Sequence, residues 1–259
     1  MPRAAIALLV GAAVAGSAAA ELRLEAESRV ADTVILRVRA TNPGPEAVHD
    51  VMPEVVYRHR TVGEDRVGVI DGGTAREWRT TLPAPSGPGT FPVTIRLRYV
   101  DGRGQPRSTL LVHLVRTPGA PPPEVQATVA TEPVSRLGHA VVTLENAAPE
   151  QVAGRLVVAL PRDLRTDPES RAVEVAAAGR ISLPIVVENV GAQPGDVRPV
   201  FALFEYDRDG THHAVLGEAT LAVARTSDAS RPLLVGIGAL VLALGILALA
   251  LRNARGPVR

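Results

Sequence analysis

The sequence predicts an all-β fold: two tandem β-sandwiches followed by one C-terminal transmembrane helix. Three observations lead there. Apolar side chains recur at every second position through most of the chain, the period of a strand with one face in a core. Two separate motifs recur at nearly the same spacing, Asn42 to Asn146 at 104 positions and Tyr99 to Tyr206 at 107. Concordant offsets of this size mark a duplicated domain. Apolar residues that do not alternate gather at the two ends of the chain. Its 259 residues leave room for two domains of about 100–150 residues each and some extra segments.

Residues 1–20 read as a secretory signal peptide. Arg3 is the charged start, Ala4 to Val14 the apolar stretch, and Ala18-Ala19-Ala20 the small-residue cleavage pattern before Glu21. The apolar stretch is shorter than the roughly 20 residues a spanning helix needs. Residues 21–117 form the first sandwich. Leu22, Leu24 and Ala26 alternate with Arg23, Glu25 and Glu27, and Val34, Leu36, Val38 and Ala40 with Ile35, Arg37, Arg39 and Thr41. Phe91, Val93, Ile95, Leu97 and Tyr99 continue the pattern, and no stretch keeps a helical period. Residues 118–124 are a linker in which Pro121-Pro122-Pro123 favour polyproline II, a stiff spacer.

Residues 125–224 repeat the first sandwich. Residues 140–152 (AVVTLENAAPEQV) parallel 34–48 (VILRVRATNPGPEAV), and 199–210 (PVFALFEYDRDG) parallel 91–104 (FPVTIRLRYVDGRG). A juxtamembrane segment, 225–231, leads to Pro232–Leu251, twenty residues without a charge. At about 1.5 Å per residue they cover about 30 Å, the thickness of a hydrocarbon core. Arg231 precedes this span, whereas Arg252, Arg255 and Arg259 lie in the tail 252–259 and place it in the cytoplasm. Glycines 236, 238 and 245 make no clean small-xxx-small pair for helix dimerisation. Some prokaryotic surface proteins end in the same layout but have the helix removed at a short sorting motif. Residues 227–232 (SDASRP) carry no such motif, so a retained anchor is expected.

Composition excludes several classes of function. Without cysteine there is no disulfide, zinc–thiolate site, thiol nucleophile or lipidated N-terminal Cys. All 28 basic residues are Arg, so Schiff-base and P-loop lysines are excluded too. A net charge of +1 gives no case for a nucleic-acid partner. The lack of both Cys and N-x-Ser/Thr sequons favours a bacterial or archaeal envelope over an animal cell surface.

The turns carry a resemblance. Asn42-Pro43-Gly44 after a strand, Asp71-Gly72-Gly73-Thr74 before the next, and Tyr99-Val100-Asp101-Gly102-Arg103-Gly104 in a hairpin resemble prokaryotic Ig-like modules. The modules in question are of the CARDB, α-galactosidase-associated and S-layer-like surface-protein type. In the second half Glu188-Asn189-Val190-Gly191 and Tyr206-Asp207-Arg208-Asp209-Gly210 fit, while Asn146-Ala147-Ala148 lacks the glycine. The resemblance implies seven-stranded Ig-like sandwiches that act as spacers or interaction modules, with no catalytic residues.

Candidate sites are few. Asp207-Arg208-Asp209-Gly210-Thr211-His212-His213 gathers acids and histidines that suit a divalent metal. A hairpin explains it better: Asp-Gly supplies positive φ, and adjacent residues on a strand point to opposite faces. His49, His59, His113 and His139 stand apart from any Ser or Asp constellation, and no G-x-S-x-G is present. Glu64-Asp65 reads as a solvated turn. Arg37, Arg39, Arg96 and Arg98 suggest a groove for an anionic polymer, but cross-strand pairing with Glu25 and Glu27 accounts for the first two. Trp78 shares a strand face with Leu82 and is expected in the core, so a lectin platform is not expected. The expectation is therefore a protein with no catalytic, metal or cofactor site and no small-molecule ligand. It is held in the bilayer by its C-terminal helix and acts through a protein partner in the envelope, with adhesion or envelope-polymer binding as the alternative.

Overall fold

The computed structural model describes residues 21–58, 60–63 and 66–224. The expected signal peptide, juxtamembrane segment, membrane span and tail lie outside these residues, as do His59, Glu64 and Asp65. The described residues form sixteen strands and no helix, hence none long and apolar enough to cross a membrane. The chain divides into two compact units. Unit 1 runs to Pro122 and takes in Asp207–Ala214; unit 2 is Pro123–Tyr206 together with the chain from Val215.

Unit 1 contains β1 (Arg23–Val30), β2 (Thr33–Thr41), β3 (Val48–Tyr57), β4 (Arg60–Gly63), β5 (Gly68–Ile70), β6 (Ala75–Pro83), β7 (Thr90–Val100) and β8 (Pro106–Arg116). One sheet has the order β1-β2-β6; the other is β4-β3-β7-β8, with β5 added beside β3. Alternation decides which side chains enter. Val34, Leu36 and Val38 of β2 are fully buried against Val55, Tyr57, Val93, Ile95 and Val115. A second cluster joins Leu22, Ala40, Val48, Val51, Ile70, Leu97 and Tyr99. Each such Leu, Ile or Val contributes about 1.5–3 kcal/mol by leaving water. The pattern fails in β3, where Asp50 adopts φ 54° and the register against β7 slips between His49 and Met52. A bulge there puts an extra residue into the strand and hides it from a period-two search.

Unit 2 contains β9 (Val125–Thr131), β10 (Leu137–Asn146), β11 (Val152–Ala159), β12 (Leu164–Arg165), β13 (Ser170–Val175) and β14 (Arg180–Asn189), with β15 (Val197–Arg208) as far as Tyr206 and β16 (Thr211–Ala222) from Val215. Its sheets are β12-β14-β10-β9 and β13-β11-β15-β16, enclosing a core that includes Val142, Leu144, Leu156, Val187, Phe204 and Leu221. The topology of unit 1 recurs here. The order β1-β2-β6 returns as β9-β10-β14, and β4-β3-β7-β8 returns as β13-β11-β15-β16. Non-consecutive neighbours in both units mean Greek-key crossovers between two sheets. Two short strands break the correspondence: β5 occurs only in unit 1, and β12 only in unit 2.

Candidate functional site

A functional site needs buried polar residues, and a scaffold also uses them. Asn42 follows β2 and Asn146 ends β10, each 1% exposed. The Asn42 amide donates to the carbonyls of Glu46 (2.8 Å) and Ile70 (3.1 Å), and its Oδ1 accepts from Gly44 N–H (3.0 Å). Asn146 does the same with Glu150 (2.8 Å), Ala176 (2.9 Å) and Ala148 N–H (2.9 Å). One side chain thereby ties a strand end to the following turn and to a crossing loop. Neither Gly44 nor Ala148 needs positive φ, so the missing glycine in the second copy is immaterial. Tyr99 and Tyr206 recur likewise: their hydroxyls accept the N–H of Leu22 (3.5 Å) and Glu124 (3.1 Å), each just before the first strand of its unit.

Two buried arginines, one bonded to a single aspartate and the other to two, carry no motif in the sequence. In unit 1, Arg107 Nε donates to Asp101 Oδ2 (3.0 Å), while Asp101 Oδ1 accepts the N–H groups of Arg103 (3.0 Å) and Gln105 (2.8 Å). Burial alone would raise the Asp101 pKa. The Gln105 N–H, the Arg107 guanidinium and the Arg103 N–H outweigh it and hold the carboxyl below its usual value. In unit 2, Arg198 binds Asp163 Oδ2 through Nε (2.8 Å) and Asp196 Oδ2 through Nη2 (2.8 Å). Burial raises the Asp163 pKa against the pull of Arg198. Arg198 shares its inward phase with Val200, Ala202, Phe204 and Tyr206. That phase is the one sequence signal that could have found it.

The acid- and histidine-rich segment 207–213 lies in the β15–β16 hairpin. Asp209 and Gly210 form its two-residue loop with φ 50° and 71°, the positive pair a type I′ turn requires. The counterpart loop between β7 and β8 has five residues, so the two hairpins match at their tyrosines but not at their tips. His212 Nδ1 lies 2.8 Å from Asp207 Oδ1, and its ring stacks on Phe91 within unit 1 at 4.9 Å between centroids. His213 is buried, whereas His212 is half-buried. His113 Nε2 is 2.9 Å from Ser28 Oγ, and burial lowers its pKa. Among the described residues no group of three or more His, Asp or Glu side chains stands together as a metal site.

The arginines on β2 fall into a grid. Arg39 stands opposite Glu25 and Glu77, and Arg37 opposite Glu27 and Arg79. Arg37 Nε is 3.0 Å from Glu77 and its Nη1 4.0 Å from Glu27. Arg96 pairs with Glu54 at 3.7 Å, and Arg98 lies opposite exposed Met52. Trp78 packs against both clusters of the unit 1 core. Phe91, Tyr99, Phe204 and Tyr206 are buried.

No family model and no curated protein matches the chain. Among solved structures, a red sea bream transglutaminase aligns with 79% of this chain and 32% of its own, at 14% identity and a TM-score of 0.28. A Salmonella α-2-macroglobulin reacted with methylamine covers 80% of this chain and 16% of its own, at 15% identity and a TM-score of 0.34. The E. coli chaperone DraB covers 77% and 97%, at 13% identity and a TM-score of 0.31. The chain thus spans about a third of the transglutaminase and about a sixth of the macroglobulin. Likeness at this level assigns neither family nor activity, and what stands for this chain is an all-β architecture of sandwich-like sheets.

Proposed function

We propose that the chain is a non-catalytic, membrane-anchored interaction and assembly protein of a prokaryotic envelope. In this reading residues 1–20 are a cleaved signal peptide and Pro232–Leu251 a single anchor. Two tandem Ig-like sandwiches of the CARDB-like type stand outside the membrane, and the basic tail is cytoplasmic. The observation that carries the reading is the duplicated polar framework. Asn42 and Asn146 bind alike, as do Tyr99 and Tyr206, and each bond holds a strand or a turn in place. Asp101–Arg107 and Asp163–Arg198 brace strands in the same way. A fold whose buried polar groups serve its own rigidity suits a spacer that presents surfaces.

In this reading only residues 225–231 separate the second sandwich from the span. A short tether keeps the ectodomain beside whatever lies in the same membrane, which favours an accessory subunit of a membrane complex. The test is extraction of the tagged full-length protein in mild detergent, followed by mass spectrometry. Recovery with a stoichiometric integral-membrane partner is the expected result. Recovery alone, with the chain retained on isolated envelope polymer, would sink the assembly reading in favour of adhesion.

A further inference from the structure

The duplicated sheets turn unlike faces to solvent. Across β1-β2-β6 the outward rows are Arg23–Thr41–Ala75, Glu25–Arg39–Glu77, Glu27–Arg37–Arg79 and Arg29–Ile35–Thr81, each with at least one charge. Across β9-β10-β14 the middle rows are Ala130–Val141–Pro184 and Thr128–Thr143–Ser182, with His139 opposite Val186 in the next. Leu137, Val186 and Val141 stand 57%, 50% and 39% exposed there. A solvated sheet face is ordinarily polar, as in unit 1. An apolar patch inside a polar rim marks a contact surface.

The rim indicates which partner fits. Arg180 is bonded to Glu145 at one end of the patch and Arg165 to Glu188 at the other, both at 2.5 Å. Glu132, at the end of β9, gives its N–H to the His139 carbonyl. Along β14 the outward residues run Arg180, Ser182, Pro184, Val186, Glu188: basic, then uncharged, then acidic. Such a strand is complementary to itself laid antiparallel, because each Arg180 then faces a Glu188 and Pro184 sits at the midpoint. Parallel stacking would oppose like charges. Lateral pairing through the edge of β14 is disfavoured for another reason. Proline has no N–H to give, and inside a paired strand it is tolerated where its nitrogen faces the open edge.

We propose that this face of unit 2 binds a second copy of the same chain, sheet against sheet, with the β14 strands antiparallel about a two-fold axis near Pro184. Contact of this kind is isologous, the same patch serving both partners. It holds whether or not residues 232–251 span a membrane, so its failure leaves the anchor untouched.

The chain has no cysteine, so an introduced one is the sole thiol. Full-length Pro184→Cys in detergent should form a disulfide-linked dimer under mild oxidation. Ile35→Cys, also exposed, on the unit 1 sheet at 44%, should stay largely monomeric and corrects for crowding in the micelle. Adding Arg180→Glu to Pro184→Cys should cut cross-linking about tenfold, equivalent to about 1.4 kcal/mol. Adding Glu188→Arg to that variant should restore it. Melting temperatures confirm that each variant is folded. Equal cross-linking of Pro184→Cys and Ile35→Cys, or charge reversal without effect in a folded variant, overturns the proposal. So does a Pro184→Cys thiol that is shielded from maleimide only in native membranes and never cross-links, since another occupant then covers the face.

Discussion

Asn146 holds a strand end, a turn and a loop together through one side chain. Its amide and carbonyl serve the Glu150, Ala176 and Ala148 backbone groups from a site 1% exposed. Removing such a side chain leaves those groups buried without a partner, at about 1–3 kcal/mol each before relaxation. Asn146→Ala is therefore expected to destabilise unit 2 by about 2–4 kcal/mol in denaturant unfolding, and a change below about 0.5 kcal/mol would contradict the role given to it. Asn42, Asn146, Tyr99 and Tyr206 were legible in the sequence because the duplication repeats them. Arg107 and Arg198 were not. An inward arginine stands out only once the phase of its strand is known, and the Asp163 partner of Arg198 lies 35 residues away. The turns gave mixed signals for a related reason. Gly73 holds φ 71° in unit 1, while Ala178 takes φ 45° at the matching turn of unit 2, so the backbone shape was kept although the glycine was not.

At the scale of elements, the β7–β8 hairpin and the β1–β8 contact link unit 1 to pH. His113 is lowered from its ordinary 6.5 by burial, so the unfolded chain takes up its proton first as the pH falls. Stability is then complete above about 6.5 and declines below it. Asp101 is held below its ordinary 3.8 despite its burial, because the N–H groups and Arg107 favour its charged form. Its contribution is present above 3.8 and is lost as the pH falls through the lower folded value. Two acid limbs should result. Trp78 is the sole tryptophan and lies in unit 1, so its fluorescence reports that unit alone. His113→Gln should flatten the upper limb and Asp101→Asn the lower one; an unchanged profile in both variants would refute the assignment. Strands with clean alternation, such as β2 and β7, could be read from sequence. Strand β3 could not, because the Asp50 bulge shifts its phase. The two-residue β12 is too short to show any period.

At the scale of the whole molecule, charge and hydropathy divide the chain more sharply than any motif does. Residues 21–117 carry 14 Arg and 12 acidic residues, while 118–231 carry 10 Arg and 15 acidic residues. The more acidic half leads to the apolar stretch, which disfavours docking of that half on anionic headgroups. It leaves the helix itself as the attachment in the proposed reading. The candidate sites were legible chiefly as alternatives to scaffold, since turn chemistry and metal-site chemistry use the same Asp, Gly and His residues. The most direct test is protease added to the outer face of intact cytoplasmic membrane holding the full chain with a C-terminal tag. The ectodomain should be digested and a membrane-retained fragment of about 35 residues should keep the tag. Loss of the tag to outside protease, or release of an intact chain from the membrane, would contradict the proposed topology.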